Sequence, residues 1–170
     1  MVQGGGGICY GRADLALAAG WQDRLPALLA ALRELGPVAV TSSPLARCRV
    51  PAEALAERLG LPLSLDDRLL ELDFGDWERR PWDEVPREAL DFWAADPLGF
   101  APPGGESGRS LVRRTRAVAE CLRRDRRPWL VVAHGGPLRL LAPMLRGEPP
   151  DLLAPAPPCF SLRAVVPAPA

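Results

Sequence analysis

Residues 128–138 read PWLVVAHGGPL and contain the strongest strand signal of the chain. The apolar run at 129–133 has the length and composition of a strand that is buried on both faces of a parallel sheet. The run ends at His134, and Gly135-Gly136 turns the chain into a helix that Pro137 opens. The segment therefore predicts a strand, a tight turn and a helix, with His134 at the carboxyl end of the strand.

A second junction of the same design lies in the sequence VAVTSSPLAR at 38–47. The strand leads into Ser43 as the helix N-cap and Pro44 as the first helical residue, and Arg47 follows. Because the carboxyl ends of parallel strands form the ligand edge of an α/β sheet, we expect Arg47 and His134 at one edge. Free N–H groups at two helix amino ends, together with a guanidinium and an imidazole, are suited to bind an anion such as phosphate.

The rest of the chain alternates helices with strands. Amphipathic helices are predicted at about 19–35 and 108–125, and the helix after Pro44 is expected to break at Pro51. The segment FSLRAVV at 160–166 is expected to form the last strand. This order predicts one α/β domain over residues 1–170, built as a three-layer fold with a mostly parallel sheet flanked by helices.

Composition excludes several classes of function. The chain has 170 residues, and its 21 basic residues, all arginine, balance 21 acidic ones. The absence of lysine excludes Walker-type nucleotide binding and Schiff-base catalysis, and a single histidine excludes multi-histidine metal sites. Zero net charge argues against nucleic-acid and membrane-surface partners.

Four scattered cysteines without a C-x-x-C pair, and no secretory signal, indicate reduced thiols in a cytoplasmic protein. No apolar stretch approaches the roughly 20 residues that span a bilayer. The oligomeric state cannot be read from the sequence.

Each candidate residue also has a purely structural interpretation. A lone histidine at a strand end often bonds a backbone carbonyl, and an arginine on a helix is often solvated. The eight arginines between 109 and 127 are interpreted as a solvated helix face. The carboxylates at 66–78 are interpreted mostly as a solvated loop, since their spacing does not favour a Mg²⁺ site.

Four segments in order resemble one family: CYGRADLAL at 9–17, TSSPLARCR at 41–49, LLELDFGDWE at 69–78 and VVAHGG at 131–136. They are similar to the histidine phosphatase superfamily, which has the phosphoglycerate-mutase-like fold, and within it to the α-ribazole phosphatase-like members. The resemblance extends through the loop PPGGES at 102–107.

The resemblance implies a metal-independent phosphomonoesterase that needs no cofactor and acts on a small phosphorylated metabolite. Arg47 matches the arginine that grips the phosphoryl oxygens, and His134 matches a histidine that donates to the transferring phosphoryl group. Glu71 matches the acid that protonates the leaving alkoxide, and Arg12 lies where the family contacts substrate. The implied substrate is α-ribazole 5′-phosphate of cobalamin biosynthesis, with a broad-specificity sugar-phosphate phosphatase as the alternative.

The sequence departs from the family at its amino end. The family nucleophile is a histidine in a Leu-x-Arg-His motif that ends the first strand, and this sequence contains neither the motif nor a second histidine. Gly4 to Gly7 stand where that motif should end. We therefore expect an N-terminally truncated domain that lacks its first strand and is inactive or impaired as written. The alternative is a non-catalytic protein that binds phosphate esters or has a regulatory role.

Overall fold

The computed structural model describes residue 2 and residues 6–168 of the chain. Within these residues, five α-helices and three strands follow one another as α1 (Leu25–Leu35), β1 (Ala39–Ser42), α2 (Ala46–Leu59), β2 (Leu63–Leu65), α3 (Arg87–Ala95), α4 (Gly108–Asp125), β3 (Trp129–Val132) and α5 (Gly135–Leu145). Short 3₁₀ turns occupy much of the long connection between β2 and α3. Gly4 and Gly5, where the missing motif is expected to end, lie outside the described residues.

The three strands form one parallel sheet in the order β2-β1-β3, and Val40 of β1 lies between Leu63 and Leu130. Side chains of β3 alternate between two cores. Leu130 packs with α1 and α2 on one face of the sheet, whereas Val131 packs with α4 and α5 on the other. The structure therefore confirms the α/β fold class, with a parallel sheet between two layers of helices.

Local sequence explains where α1 and α4 begin and end. In α1, Leu25, Leu29 and Leu32 recur at helical spacing and are buried, and Gly36 ends the helix in the left-handed conformation at φ 59°. In α4, the Ser107 hydroxyl accepts a hydrogen bond from the Ser110 N–H at 3.3 Å and caps the helix. The predicted apolar stripe of α4 is confirmed, and its buried part comprises Leu111, Thr115 and Val118.

The prediction that α2 breaks at Pro51 is wrong. The helix runs from Ala46 to Leu59 without interruption, with Leu45 as its N-cap residue, and Pro51 is buried within it. Pro51 lies in the second turn, where its fixed φ suits a helix and its missing N–H removes only one hydrogen bond. The prediction that Ser43 is the N-cap residue of this helix is also wrong.

The carboxyl-terminal strand predicted at 160–166 is absent from the structure. Phe160 adopts a positive φ of 54°, and the Ala168 N–H donates to the Leu145 carbonyl at the end of α5. Leu162 packs against the core on one face of the sheet and Val165 against the core on the other. Apolar contacts to two separate cores therefore replace strand pairing in this segment.

The expectation that the central apolar run is buried on both faces holds only in part. In β3, Leu130 is buried, and the flanking strand residues are half-buried. The reason is topological, because β3 is an edge strand in the sheet formed by the described residues.

Among the residues that the structure describes, no helix has the length and hydropathy needed to cross a membrane.

Candidate active site

His134 lies two residues after the end of β3 and is the N-cap residue of α5, with only 7% of its surface exposed. Its Nδ1 accepts a hydrogen bond from the Arg47 Nε–H at 3.1 Å, and its Nε2 lies 2.7 Å from the Ser43 hydroxyl. Because a guanidinium only donates, Nδ1 is the unprotonated ring nitrogen and Nε2–H donates to Ser43. Ser43 therefore orients the ring, and its hydroxyl also accepts from the Leu45 N–H at 3.4 Å, just before α2 begins.

Burial disfavours the charged form of this ring. It lowers the pKa of His134 to about 3, and the nearby positive charges of Arg47, Arg114 and Arg12 act in the same direction. The imidazole is therefore neutral at physiological pH. The Cys48 Sγ lies 3.5 Å from the ring, and burial raises the pKa of this thiol to about 12, so it remains protonated.

The Arg47 guanidinium is held from several directions at the carboxyl edge of the sheet. Its Nε donates to His134, while its two terminal nitrogens donate to the carbonyls of Ala13 (2.8 Å) and Gly11. The guanidinium carbon also lies 5.3 Å from the centre of the Tyr10 ring, within cation–π range. The solvated interpretation of Arg47 is therefore wrong, because this arginine connects α2 to His134 and to the loop at 10–13.

Glu71 lies in the loop after β2 and contacts the first turn of α5. Its carboxylate accepts hydrogen bonds from the Gly136 N–H at 3.1 Å and from the Leu72 N–H at 3.0 Å. A Cβ at position 136 would lie 2.1 Å from the Glu71 Oε1, so only glycine leaves room for the carboxylate there. The positive end of α5 therefore faces an acidic group beside His134.

Both helix amino ends at the sheet edge have a carboxylate of the chain itself as a partner. Glu71 binds the first turn of α5, and Asp14 accepts from the Ala46 N–H at the start of α2 at 2.8 Å. The sequence predicted free N–H groups at these ends. The structure corrects that expectation, since the loop at 10–14 and the loop carrying Glu71 both dock on the junctions.

Arg12 lies on the loop docked against Glu71. Its Nε donates to the Glu71 main-chain carbonyl at 3.0 Å, and one terminal nitrogen lies 3.4 Å from Glu106. The structure therefore brings the four residues predicted from the sequence into one connected group. Arg47 contacts His134 directly, Arg12 contacts Glu71 directly, and the loop at 11–13 joins the two pairs.

Three charged residues of this region were missed in the sequence. Glu78 was assigned to a solvated loop, but its carboxylate accepts from the N–H groups of Arg12 (2.6 Å), Ala13 and Phe74 (3.2 Å). Glu106 was not among the site residues predicted from the sequence, yet it forms an ion pair with Arg114 in which both side chains are mostly buried.

Arg114 was assigned to the solvated face of α4. Its side chain is only 14% exposed, so that assignment is wrong. The one available signal was position, since residue 114 borders the apolar stripe at 111, 115 and 118.

The aromatic residues near the site pack on one another. Trp77 is 2% exposed and stacks on Phe100, and Trp82 stacks on Trp93 with nearly parallel rings. These contacts pin the loop at 74–86 to the protein, so Trp77 is not free to stack on a ligand. Phe92 on α3, in contrast, is 57% exposed.

The arrangement is chemically suited to a phosphate ester. Arg47 and His134 supply hydrogen-bond donors at one edge of the sheet, and Glu71 supplies a carboxyl group at the neighbouring first turn of α5. In the described part of the chain, no group of three or more His, Cys, Asp or Glu side chains is placed to hold a metal ion.

Comparison with known proteins agrees with this geometry. A family model described as "Histidine phosphatase superfamily (branch 1)" matches residues 4–159. The chain belongs to this superfamily. It is a member of a phosphatase family that acts on phosphorylated substrates, as the resemblance of its motifs predicted.

Individual proteins match most of the chain. A glucosyl-3-phosphoglycerate phosphatase of Mycolicibacterium vanbaalenii is 31% identical over 157 residues, which cover 86% of this chain and 70% of that protein. A bifunctional protein of Mycobacterium tuberculosis is 34% identical over 127 residues, which cover 72% of this chain but only 35% of that protein. The crystal structure of an α-ribazole phosphatase from Shigella flexneri superimposes with a TM-score of 0.74 at 28% identity, covering 84% of this chain and 73% of that one.

Proposed function

We propose that the protein is a phosphomonoesterase of the histidine phosphatase type whose substrate is α-ribazole 5′-phosphate. The observation that carries the proposal is the contact between the Arg47 Nε and the His134 Nδ1, 3.1 Å apart at the carboxyl edge of the sheet. A cytoplasmic location and a role in cobalamin biosynthesis form part of the same proposal. They are supported by four unpaired cysteines and by the likeness to α-ribazole phosphatase.

In this proposal, each of the four site residues has one task. Arg47 binds the phosphoryl oxygens, which compete with the carbonyls of Gly11 and Ala13 for its N–H groups. Neutral His134 donates a hydrogen bond to the phosphoryl group in place of Ser43, and Arg12 contacts the rest of the substrate. Glu71 protonates the departing alkoxide, which is a poor leaving group without a proton.

The identity of the relatives also favours a second substrate. Because the mycobacterial relative with 31% identity is a glucosyl-3-phosphoglycerate phosphatase, a sugar-phosphate ester is the alternative substrate class. The two classes differ in the group beyond the phosphate, which is an aromatic base on a ribose in one and a glycosylated acid in the other. Comparing kcat/KM for the two esters on the same preparation distinguishes them.

One observation favours a second function, the binding of phosphate esters without turnover. The sequence contains a single histidine, and we match His134 to the family histidine that donates a hydrogen bond to the phosphoryl group. A phosphohistidine intermediate requires a second histidine as nucleophile. We therefore propose, as the second function, that the chain binds phosphate esters without hydrolysing them.

The first experiment is phosphate release from p-nitrophenyl phosphate by the 170-residue chain without added metal, with His134→Ala as the control. Release equal to the control, together with measurable binding of phenyl phosphate, would support the proposal that the nucleophile is missing. Release that depends on His134 would support hydrolysis by the chain as given. Neither release nor binding would refute the assignment of the site.

A further inference from the structure

We propose that Glu106 and Arg114 are positioning residues that hold the acid Glu71 and the substrate-contacting Arg12 in place. The inference rests on the proposed function, since it assigns a task to two residues through the groups they orient. Neither residue was among the site residues predicted from the sequence.

Arg114 holds the main chain of the loop that carries Glu71. One of its terminal nitrogens donates to the Glu71 carbonyl at 2.9 Å, and the other donates to the carbonyls of Arg68 (2.8 Å) and Leu70. One guanidinium thus binds three carbonyls within four successive residues. Together with the two carboxylate oxygens of Glu106, the guanidinium meets five acceptors, one for each of its five N–H donors, whereas a lysine ammonium has only three donors.

Glu106 connects this arginine to the substrate side of the site. Its carboxylate forms a two-point pair with Arg114, with Nε–Oε2 at 3.2 Å and a terminal nitrogen on Oε1 at 2.5 Å. The same Oε1 lies 3.4 Å from an Arg12 terminal nitrogen and accepts from the Asp73 N–H at 3.2 Å. Glu106 therefore bridges two guanidinium groups, and both of these donate to the same carbonyl of Glu71.

The ion pair between Glu106 and Arg114 is mostly buried, which restricts the geometry of the two side chains. The Glu106 and Arg114 side chains are 15% and 14% exposed. Burial alone raises the pKa of Glu106, but the Arg114 hydrogen bond and the charges of Arg114 and Arg12 outweigh it and hold the pKa below its ordinary value. A buried pair of this kind is destabilised when one partner is removed, because the other charge is left without compensation.

Glu106 and Arg114 contact the segments that carry the site residues. Arg114 binds the residues at 68–71, and Glu106 binds Arg12 and Asp73. The carboxylate of Glu71 in turn binds the first turn of α5, next to His134. A shift of the 68–73 loop therefore moves the acid relative to the histidine, which is what distinguishes a positioning role from a contribution to stability alone.

The test compares Glu106→Gln with Glu120→Gln, which removes an exposed carboxylate from α4, the helix that carries Arg114. The readout is the amide resonances of Gly136 and Leu72 in ¹H–¹⁵N spectra, because these two groups donate to the Glu71 carboxylate. Glu106→Gln is expected to shift both resonances while leaving the core amide of Val118 unchanged, and Glu120→Gln is expected to shift none. Unchanged Gly136 and Leu72 resonances in folded Glu106→Gln would overturn the proposal.

Arg114→Lys is the second variant if Glu106→Gln does not fold. It keeps the positive charge and loses the fork, so the same two amide resonances are expected to shift, and their constancy would overturn the proposal. These readouts need no turnover, so they decide this inference whether or not the chain hydrolyses a phosphate ester. Where a preparation hydrolyses phosphate esters, the loss of kcat in Glu106→Gln is expected to depend on the leaving group. It should be about tenfold larger for an alkyl phosphate than for p-nitrophenyl phosphate, because the p-nitrophenolate leaving group needs no proton. Equal losses would overturn it.

Discussion

The single histidine makes a sharp prediction about how stability depends on pH. His134 has a pKa of about 3 in the folded protein, against an ordinary value of 6.5, with burial as the largest cause. A folded state with the lower pKa binds fewer protons than the unfolded chain between these two values. The free energy of unfolding therefore falls as the pH is lowered below 6.5, and the fall continues toward pH 3.

The size of this effect follows from the shift. Below pH 6.5 the slope approaches about 1.4 kcal/mol per pH unit. Between pH 7.5 and 5.5 the integrated loss from His134 is about 1.4 kcal/mol, a substantial part of the roughly 5–15 kcal/mol of a typical domain. No other histidine contributes, because the sequence contains only one.

The assay is urea unfolding at constant ionic strength at pH 7.5, 6.5 and 5.5, with His134→Gln as the variant that cannot titrate. The unmodified chain is expected to lose about 1.4 kcal/mol over this range, and the variant a few tenths at most. Long-range ¹H–¹⁵N spectra of the ring provide a check that needs no variant, since the neutral Nε2–H form should persist at pH 5.5. A protonated ring at that pH, or an equal slope in the variant, would refute the reasoning.

Three further substitutions test particular contacts. Gly136→Ala should change the free energy of unfolding by no more than about 1 kcal/mol in urea unfolding, because the helix propensity of alanine offsets the displacement of the flexible Glu71 side chain. The Leu72 amide resonance should shift, since the new Cβ would lie 2.1 Å from the Glu71 Oε1 that accepts from this amide, and an unchanged resonance would contradict the close approach. Ser107→Ala should cost about 1 kcal/mol by removing the cap of α4, and an unchanged urea midpoint would show that the cap contributes nothing. Glu78→Gln should speed hydrogen exchange at the Arg12 and Ala13 amides while Asp76→Asn leaves it unchanged, and equal exchange in both variants would exclude Glu78 as the anchor of this loop.

The sequence predicted the parts of the site that local patterns determine. A buried strand followed by glycine or proline predicts a strand-to-helix junction, and two such junctions in a parallel sheet meet at one edge. This argument placed Arg47 near His134, and the structure has them in direct contact. The same argument does not predict the two loops that dock on the junctions. Their contacts join residues far apart in the sequence: Asp14 and Ala46 are 32 positions apart, and Glu71 and Gly136 are 65 positions apart.

The residues that were missed depend on distant partners in the same way. Arg114 has the sequence context of the exposed arginines of α4, and only the carboxylate of Glu106 and the carbonyls at 68–71 make its burial favourable. Glu78 is one of six acidic residues in a charged loop, and its role depends on N–H groups more than 60 positions away. The strand predicted at 160–166 has the right alternation, but Leu162 and Val165 pack against two separate cores, and the segment does not pair with the sheet.

The most direct test of the account is binding of inorganic phosphate, measured by isothermal titration calorimetry on the chain, on Arg47→Ala and on Arg49→Ala. Arg49 lies on the same helix and pairs with Glu53 at the surface, so it is the matched control. The account predicts saturable binding that is lost in Arg47→Ala and retained in Arg49→Ala. Binding that survives in Arg47→Ala, or that is absent from all three proteins, would contradict the assignment of a phosphoryl site to Arg47 and His134.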